Sequence, residues 1–91
     1  MQVKVYATLR ELVGGAVIEL PVTEPTHVAA LLDRISADHP QLGAKLWDEN
    51  GRLNRTIQVL INGRSIQFLK GVQTSVSPED TVSLFPPVGG G

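Results

Sequence analysis

The sequence contains one long amphipathic helix pattern, and strand patterns lie on both sides of it. After Pro25, four apolar residues recur at the 3.6-residue spacing of a single helix face: Val28, Leu31, Leu32 and Ile35. Thr26 is the predicted N-cap of this helix, and Pro40 is predicted to end it or to begin a new short turn. Because this one helix must bury its apolar face against strands, the strand patterns decide the architecture.

Two strands are predicted before the helix. Residues 2–9 alternate in polarity, and the face predicted to be buried carries Val3, Val5, Ala7 and Leu9. Gly14-Gly15 is a turn signal and Ala16–Val22 follows as a second strand, so a hairpin is predicted across a short connection at Arg10–Val13. Pro21 favours a sheet edge for the second strand.

Three further strands are predicted after the helix. Thr56–Ile61 alternates in polarity, and the Asn62-Gly63 pair that follows favours a tight hairpin because both positions tolerate positive φ. Arg64–Phe68 is the predicted returning strand. Thr81–Phe85 is the predicted last strand, and it follows a predicted turn at Ser77–Asp80.

These elements predict an α+β fold of the ubiquitin-like β-grasp type. Leu42, Leu46 and Trp47 add a second short helix or irregular segment that folds onto the domain. A single mixed sheet with the main helix packed across one face is the simplest way to bury every apolar stripe. In that topology the first and last strands lie parallel at the centre of the sheet. Residues 1–87 then form the domain, and residues 88–91 form a flexible C-terminal glycine tail.

Composition excludes several classes of function. Lysine and arginine number 8 against 9 acidic residues, so the strongly basic balance typical of nucleic-acid binding is missing. The chain has no cysteine, which excludes disulfides, thiolate metal ligands and a thiol nucleophile. No run approaches the roughly 20 apolar residues that span a membrane, so no membrane partner is predicted and a cytoplasmic location is expected. His27 and His39 are interpreted as surface or helix-end residues, and no metal site is predicted.

The last seven residues, Phe85–Gly91, run from an apolar strand through Pro86-Pro87 into three glycines. The prolines fix φ and remove backbone donors, which predicts a stiff exit from the sheet. The glycines have no Cβ, so they could enter a channel too narrow for other residues. From Pro86 the tail could reach roughly 20 Å, at about 3.3–3.6 Å per residue. The alternative is that the glycines are only a frayed terminus or an expression scar.

Three segments resemble the MoaD/ThiS family of ubiquitin-like sulfur carriers. They are Arg10–Gly14 after the first strand, the Ser77–Thr81 turn and the closing Leu84–Val88 before the glycines. The resemblance covers nearly the full chain and is greatest to the small, sulfur-carrying subunit of molybdopterin synthase. The chain departs from the family pattern at Asp48–Arg55, which makes the middle of the chain longer than in the shortest members. It also departs at Asn62–Thr74, which resembles relatives that serve cysteine synthesis or act as archaeal modifiers.

The resemblance implies that Gly91 is the reacting residue, through its α-carboxylate. An E1-like partner would adenylate it with ATP and Mg²⁺, and a sulfur donor would convert it to a thiocarboxylate. Val88, Gly89 and Gly90 would enter the partner's channel, and Gly89 stands where relatives in this family often have alanine or threonine. The chain would then bind no cofactor and would not be a catalyst alone. It would donate sulfur in molybdopterin synthesis together with the synthase large subunit, as a heterotetramer.

A partner-docking surface is also predicted. Tyr6 and Phe85 fall on outward positions of the two central strands, where the family uses aromatic residues for docking, and Leu60 extends the same face. Pro86, Pro87 and Arg10 would complete the surface near the exit of the tail. The alternatives are ordinary cross-strand packing for the aromatic residues and a solvated loop position for Arg10.

Other functions remain open from the sequence. The sulfur could serve cysteine, thiamine or tRNA thiolation instead of molybdopterin. The chain could be a protein modifier whose Gly91 forms an isopeptide bond with lysine. It could also be an inert β-grasp interaction module.

Overall fold

The computed structural model of the protein describes residues 1–87. The strands in this part of the chain are β1 (Gln2–Val5), β2 (Val17–Glu19), β3 (Thr26–His27), β4 (Gln58–Ile61), β5 (Arg64–Ser65), β6 (Ser75–Val76) and β7 (Val82–Phe85). The helices are α1 (Leu9–Val13), α2 (Val28–Asp38) and α3 (Pro40–Leu46), with two 3₁₀ turns at Ile66–Phe68 and Gly71–Gln73. None of these helices is long and apolar enough to cross a membrane.

Five strands form one mixed sheet in the order β2-β1-β7-β4-β5. The first and last strands pair in parallel, with Val3 opposite Val82 and Val5 opposite Leu84, whereas the other three pairings are antiparallel. The strand β2 lies at an edge, as Pro21 indicated. This topology confirms the predicted α+β β-grasp fold and its central parallel pair.

The core lies between one face of this sheet and the helices. Alternate residues of the central strands are buried on that face: Val3, Val5, Val59, Ile61, Val82 and Leu84. The apolar stripe of α2 covers them, and all four residues predicted for it are buried: Val28, Leu31, Leu32 and Ile35. The short helix α3 adds Leu42 and Leu46, which confirms the second short helix. In the described part of the chain, no helix covers the opposite face of the sheet, which we call the open face.

The first strand is shorter than predicted. It ends at Val5 because Ala7 has a φ of 52°, which an extended strand does not allow. Leu9 then begins α1, so the segment predicted as strand and connection is a short helix. Gly14, at a φ of 74°, ends that helix in the left-handed region and donates its N–H to the Arg10 carbonyl oxygen. The prediction that Ala7 faces the core was therefore wrong, whereas Leu9 is buried from the helix.

The start of α2 also differs from the prediction. Thr26 is not the N-cap, because Thr26–His27 pairs with Ser75–Val76 as a separate two-stranded sheet. His27 takes the cap position without a side-chain hydrogen bond. Thr26 is therefore committed to strand pairing, and the helix begins two residues later at Val28.

The hairpin between β4 and β5 forms as predicted. Asn62 and Gly63 have φ values of 51° and 83°, as a two-residue type I′ turn requires. Asn62 also donates from Nδ2 to Asp80 Oδ1 at 3.0 Å and accepts from the Thr81 N–H at 2.9 Å. The returning strand stops at Ser65 because its hydroxyl accepts the Gln67 N–H and turns the chain into a 3₁₀ turn. The predicted strand over residues 64–68 is therefore only two residues long.

Helices α2 and α3 pack closely around a glycine. Trp47, just after α3, donates from Nε1 to the Ser36 hydroxyl at 2.9 Å, and that hydroxyl donates to the Leu32 carbonyl oxygen. A Cβ added at Gly43 would lie 2.8 Å from Ser36 Cβ and 3.0 Å from its Cα. Gly43 is buried, so glycine there sets how closely the two helices approach.

We expect Gly43→Ala to lower the free energy of unfolding by about 1 kcal/mol. The overlap with Ser36 forces the helices apart at a cost of roughly 1–3 kcal/mol, which outweighs the helix propensity of about 1 kcal/mol that alanine gains over glycine. Urea unfolding followed by circular dichroism measures the change. Gly15→Ala is the matched control, because nothing lies within 4 Å of a Cβ there and its φ is not in the left-handed region. Equal stability of the two variants would contradict this account of the packing.

Candidate functional site

The end of β7 is where the described part of the chain leaves the sheet. Because β7 pairs in parallel with β1, the two strands end side by side at the centre of the sheet. Pro86 follows β7 and is buried, and Pro87 is exposed. We call Tyr6, Arg10, Phe85, Pro86 and Pro87 the exit cluster. Residues 88–91, including the predicted reacting Gly91, lie outside the described residues.

Two aromatic side chains stack at this end of the open face. The rings of Tyr6 and Phe85 are parallel, with centroids 4.2 Å apart and an interplanar angle of 7°. The Tyr6 N–H donates to the Leu84 carbonyl oxygen at 3.1 Å, which fixes the two residues in register. Such a stack contributes about 0.5–1.5 kcal/mol beyond its burial. Both rings are only half-buried, so the pair is a cross-strand contact that leaves apolar surface exposed.

Arg10 lies against this aromatic pair. Its Nε donates to the Val5 carbonyl oxygen at 2.9 Å, and its guanidinium carbon lies 5.6 Å from the Tyr6 ring centroid, within range of a cation–π contact. The side chain is nonetheless exposed, and the hydrogen bond to Val5 uses only one of its donors. Arg10 is therefore held in place at the exit. A freely solvated loop position, the alternative considered from the sequence, does not describe it.

The local backbone explains how Arg10 reaches this position. The left-handed φ of Ala7 turns the chain sharply after β1, and Leu9 and Arg10 donate their N–H groups to the Tyr6 and Ala7 carbonyl oxygens. A non-glycine residue in this region is strained, and such strain occurs often at functional sites. The turn brings the first residues of α1 back beside the end of β1.

Leu60 lies on the same open face, one strand further along the sheet. It is opposite Ser83 in the β4–β7 register, and Phe85 is opposite Gln58, so Leu60 is a diagonal neighbour of Phe85. Leu60 is half-buried. The structure therefore brings together Tyr6, Arg10 and Phe85 directly and places Leu60 at the margin of the same surface.

A groove opens on the other side of the exit, between α1, α3 and the segment at residues 54–57. It encloses about 460 Å³, and its walls include Leu9, Leu12, Ile57, Pro86 and Pro87. Glu11 and Lys45 are its charged lining residues. The sequence interpretation missed this groove because it treated residues 10–13 as a connection. The apolar spacing of Leu9 and Leu12, three residues apart, was the signal that could have predicted α1.

The other polar residues considered from the sequence do not join the site. His27 and His39 both flank helices, as predicted. Within residues 1–87, no group of three histidine or acidic side chains could hold one metal ion. Trp47 is half-buried and hydrogen-bonded to Ser36, which agrees with the prediction that its segment folds onto the domain.

Comparison with protein families and sequences gives consistent matches. A ThiS family profile matches residues 3–91. Small archaeal modifier protein 3 of Haloferax volcanii is 35% identical over 91 residues, which is 100% of this chain and 98% of that protein.

Comparison with solved structures agrees. The crystal structure of SAMP1 from Haloferax volcanii has a TM-score of 0.87 at 31% identity and covers 100% of this chain and 98% of its own. A chain in the crystal structure of the Amycolatopsis orientalis BexX/CysO complex has a TM-score of 0.83 at 28% identity and covers 99% of this chain and 98% of its own. These matches extend over the whole described domain, including the exit cluster.

Proposed function

The chain belongs to the ThiS family of ubiquitin-like sulfur carriers, and from that membership we propose that it carries sulfur as a thiocarboxylate on Gly91. The observation that best supports this proposal is the central parallel pairing of β1 and β7. It directs the chain out of the fold at the exit cluster, beside the stacked Tyr6 and Phe85. A partner that docks on that surface would receive the following residues in its own active site.

The chemistry begins with activation of a carboxylate. At neutral pH an α-carboxylate is an anion and a poor acceptor for nucleophiles. In the proposed reaction, an E1-like partner uses ATP and Mg²⁺, and the Gly91 carboxylate oxygen attacks the α-phosphorus while pyrophosphate leaves. A donor of sulfur at the oxidation level of sulfide then displaces AMP and leaves a thiocarboxylate. The chain has no cysteine, so the sulfur must come from that donor.

This chain's own residues would bind and position the tail. Tyr6 and Phe85 offer an aromatic docking surface, and Arg10 offers guanidinium donors to acidic or carbonyl groups of the partner. Pro86 and Pro87 restrict the direction in which the following residues leave. Family relatives are small carriers or modifiers, and the chain would likewise be a co-substrate of its partners.

The proposal also concerns the reaction in which the activated Gly91 is used. The sequence resemblance favours molybdopterin synthesis, in which the chain would be the small subunit beside the synthase large subunit. Two relatives at 35% and 33% identity are named as small archaeal modifier proteins. These names favour a second candidate function, in which the activated Gly91 forms an isopeptide bond with a lysine of another protein.

Mass spectrometry of protein purified from its own cells tests the proposal. The last lysine or arginine is Lys70, so trypsin releases the tail on the peptide Gly71–Gly91. A sulfur carrier should show one exchange of oxygen for sulfur at Gly91 in this peptide, and deletion of the E1-like enzyme should abolish the exchange. An unmodified carboxylate in both strains, with no conjugate, would contradict the proposal.

The same digest identifies the second function. A modifier should leave Gly71–Gly91 attached to lysines of other proteins. For the molybdopterin destination, thiocarboxylated protein mixed with a synthase large subunit should convert the cyclic pterin precursor. If the thiocarboxylate is detected but the precursor is not converted, the role in molybdopterin synthesis is rejected and the sulfur-carrier function is retained.

A further inference from the structure

The net charge of −1 conceals a strong local segregation of charge. From Arg52 to Pro78 the sequence contains four basic residues and no acidic one, although the whole chain has 8 basic and 9 acidic residues. These four are Arg52, Arg55, Arg64 and Lys70, and all are exposed. The one salt bridge within residues 1–87 joins Arg34 to Asp38, so none of the four side chains forms an ion pair there. Arg52 nevertheless shares a turn with Asp48, whose Oδ1 accepts the Arg52 N–H at 2.9 Å.

Apolar surface accompanies these cations at the β5 edge of the sheet. Phe68 is 84% exposed and the adjacent Leu69 is 37% exposed. A groove of about 210 Å³ lies between residues 53–59 and the two 3₁₀ turns, the first of which ends at Phe68. Its walls are mostly apolar and include Ile57, Val59, Ile66 and Val72. An exposed aromatic residue close in sequence to an apolar groove is a feature of interaction sites.

The sheet edge at this groove is also incompletely paired. The strand β5 pairs only with Leu60 and Ile61 of β4 before Ser65 turns the chain into the 3₁₀ turn. Gln58 and Val59 border the groove, but Gln58 faces its partner Phe85 on β7, so Val59 is the residue whose N–H and C=O face this edge, where β5 provides no partner. An edge with unpaired backbone is a template for one more extended strand.

From these three observations we propose that this basic edge docks an extended segment of a partner protein, apolar at its centre and acidic at its flanks. The central residues lie along β4 and fill the groove, with Phe68 against them. The acidic flanks face Arg55, Arg64 and Lys70. The proposal is independent of the chemistry at Gly91, although its surface adjoins the exit: Ile57 lines both grooves, and Gln58 lies opposite Phe85.

Two other occupants fit less well. A second copy of this chain would place the same four cations opposite one another, which is repulsive. A nucleic acid would pair with the cations, but its phosphates would leave the apolar groove and the open strand edge without a partner. A peptide with acidic flanks matches the charge, the groove and the edge together.

Nuclear magnetic resonance of the ¹⁵N-labelled full chain tests the proposal. The probe is a synthetic peptide with a Val-Ile-Val-Ile centre and aspartates at both ends. We expect saturable amide shifts at residues 56–60 and 64–73, and weaker binding as sodium chloride rises from about 0.05 M to about 0.5 M. Phe68→Ser should weaken binding by about tenfold and Arg64→Glu by about fivefold. Both residues are exposed, so both variants should fold.

The controls distinguish binding at this edge from nonspecific electrostatic attraction between the peptide and the protein. Lys4→Glu makes the same change of charge as Arg64→Glu but lies on the open face of β1, and it should leave binding unchanged. A peptide with lysine in place of each aspartate should bind at least about tenfold more weakly. The proposal is overturned by absent shifts, by equal binding of the lysine peptide or by shifts centred on Tyr6 and Phe85. Tighter binding of a single-stranded oligonucleotide at the same residues also overturns it.

Discussion

Gly91→Ala should lower the rate of adenylation by a cognate E1-like enzyme by about 100-fold or more, without a change in the free energy of unfolding. The added Cβ would displace the carboxylate from its position beside ATP, and a displacement of about 1 Å can cost roughly 10²-fold in rate. The buried core that the structure describes lies between the sheet and the helices within residues 1–87, and Gly91 is not one of these residues. The substitution therefore acts on the reaction rather than on the fold. Exchange of labelled pyrophosphate into ATP measures adenylation directly.

Gly89→Ala is the matched control for that substitution. It adds the same methyl group two residues earlier, at a position where the family resemblance allows alanine or threonine. Alanine restricts the unbound chain, which reduces the entropy lost on ordering by an amount worth about 0.5–1 kcal/mol. Adenylation of Gly89→Ala should therefore be unchanged or slightly faster. Normal adenylation of Gly91→Ala would refute the proposed role of the terminal glycine.

The parts of the fold that could be predicted are those that local sequence determines. The buried side of the first strand follows from alternation, and the face of α2 follows from helical spacing, so burial at Val3, Val5 and Leu32 agrees with the prediction. The Asn62-Gly63 turn was predictable because few residue pairs tolerate two positive φ values. The parallel pairing of β1 with β7 required a further step, from the order of elements to a known topology.

The parts that were missed depend on contacts between distant segments. Thr26–His27 pairs with Ser75–Val76 across almost fifty residues of sequence, and a two-residue strand has too little alternation to be recognised. Local propensity suggested an N-cap at Thr26, and the long-range pairing overrode it. Ala7 gives no sequence signal for its positive φ, so the early end of β1 and the start of α1 were not predicted.

In the candidate site, too, the features that local sequence determines could be predicted, and those that depend on the surrounding fold could not. Strand parity was enough to place Tyr6 and Phe85 on one face, and the structure brings their rings to 4.2 Å. The hydrogen bond from Arg10 to the Val5 carbonyl oxygen depends on the turn at Ala7, which parity does not describe. The basic residues at the β5 edge were not predicted as a site for a different reason. The net charge of the whole chain also counts the acidic residues of other segments, so it does not show a basic segment.

Phe85→Ala should weaken binding of the E1-like partner by about 30-fold, which corresponds to about 2 kcal/mol for a central aromatic contact. The substitution removes one ring of the stack and leaves the Tyr6 ring without support on that side. It should also lower the free energy of unfolding by about 0.5–1.5 kcal/mol, the contribution of such a stack. Affinity is measured by titration calorimetry with the partner, and circular dichroism checks that the variant is folded at that temperature.

Phe68→Ala provides a control of the same chemistry at a different surface. Phe68 is the more exposed phenylalanine, at 84%, but it lies beyond β5 on the basic edge instead of beside the exit cluster. Its removal should leave the affinity for the E1-like partner within about twofold of the original, since residues outside the central contact contribute little. If the two substitutions weakened binding equally, the partner would contact the edge of the sheet as well as the end of β7. In that case the parallel strand pair would no longer suffice to explain how the tail is presented.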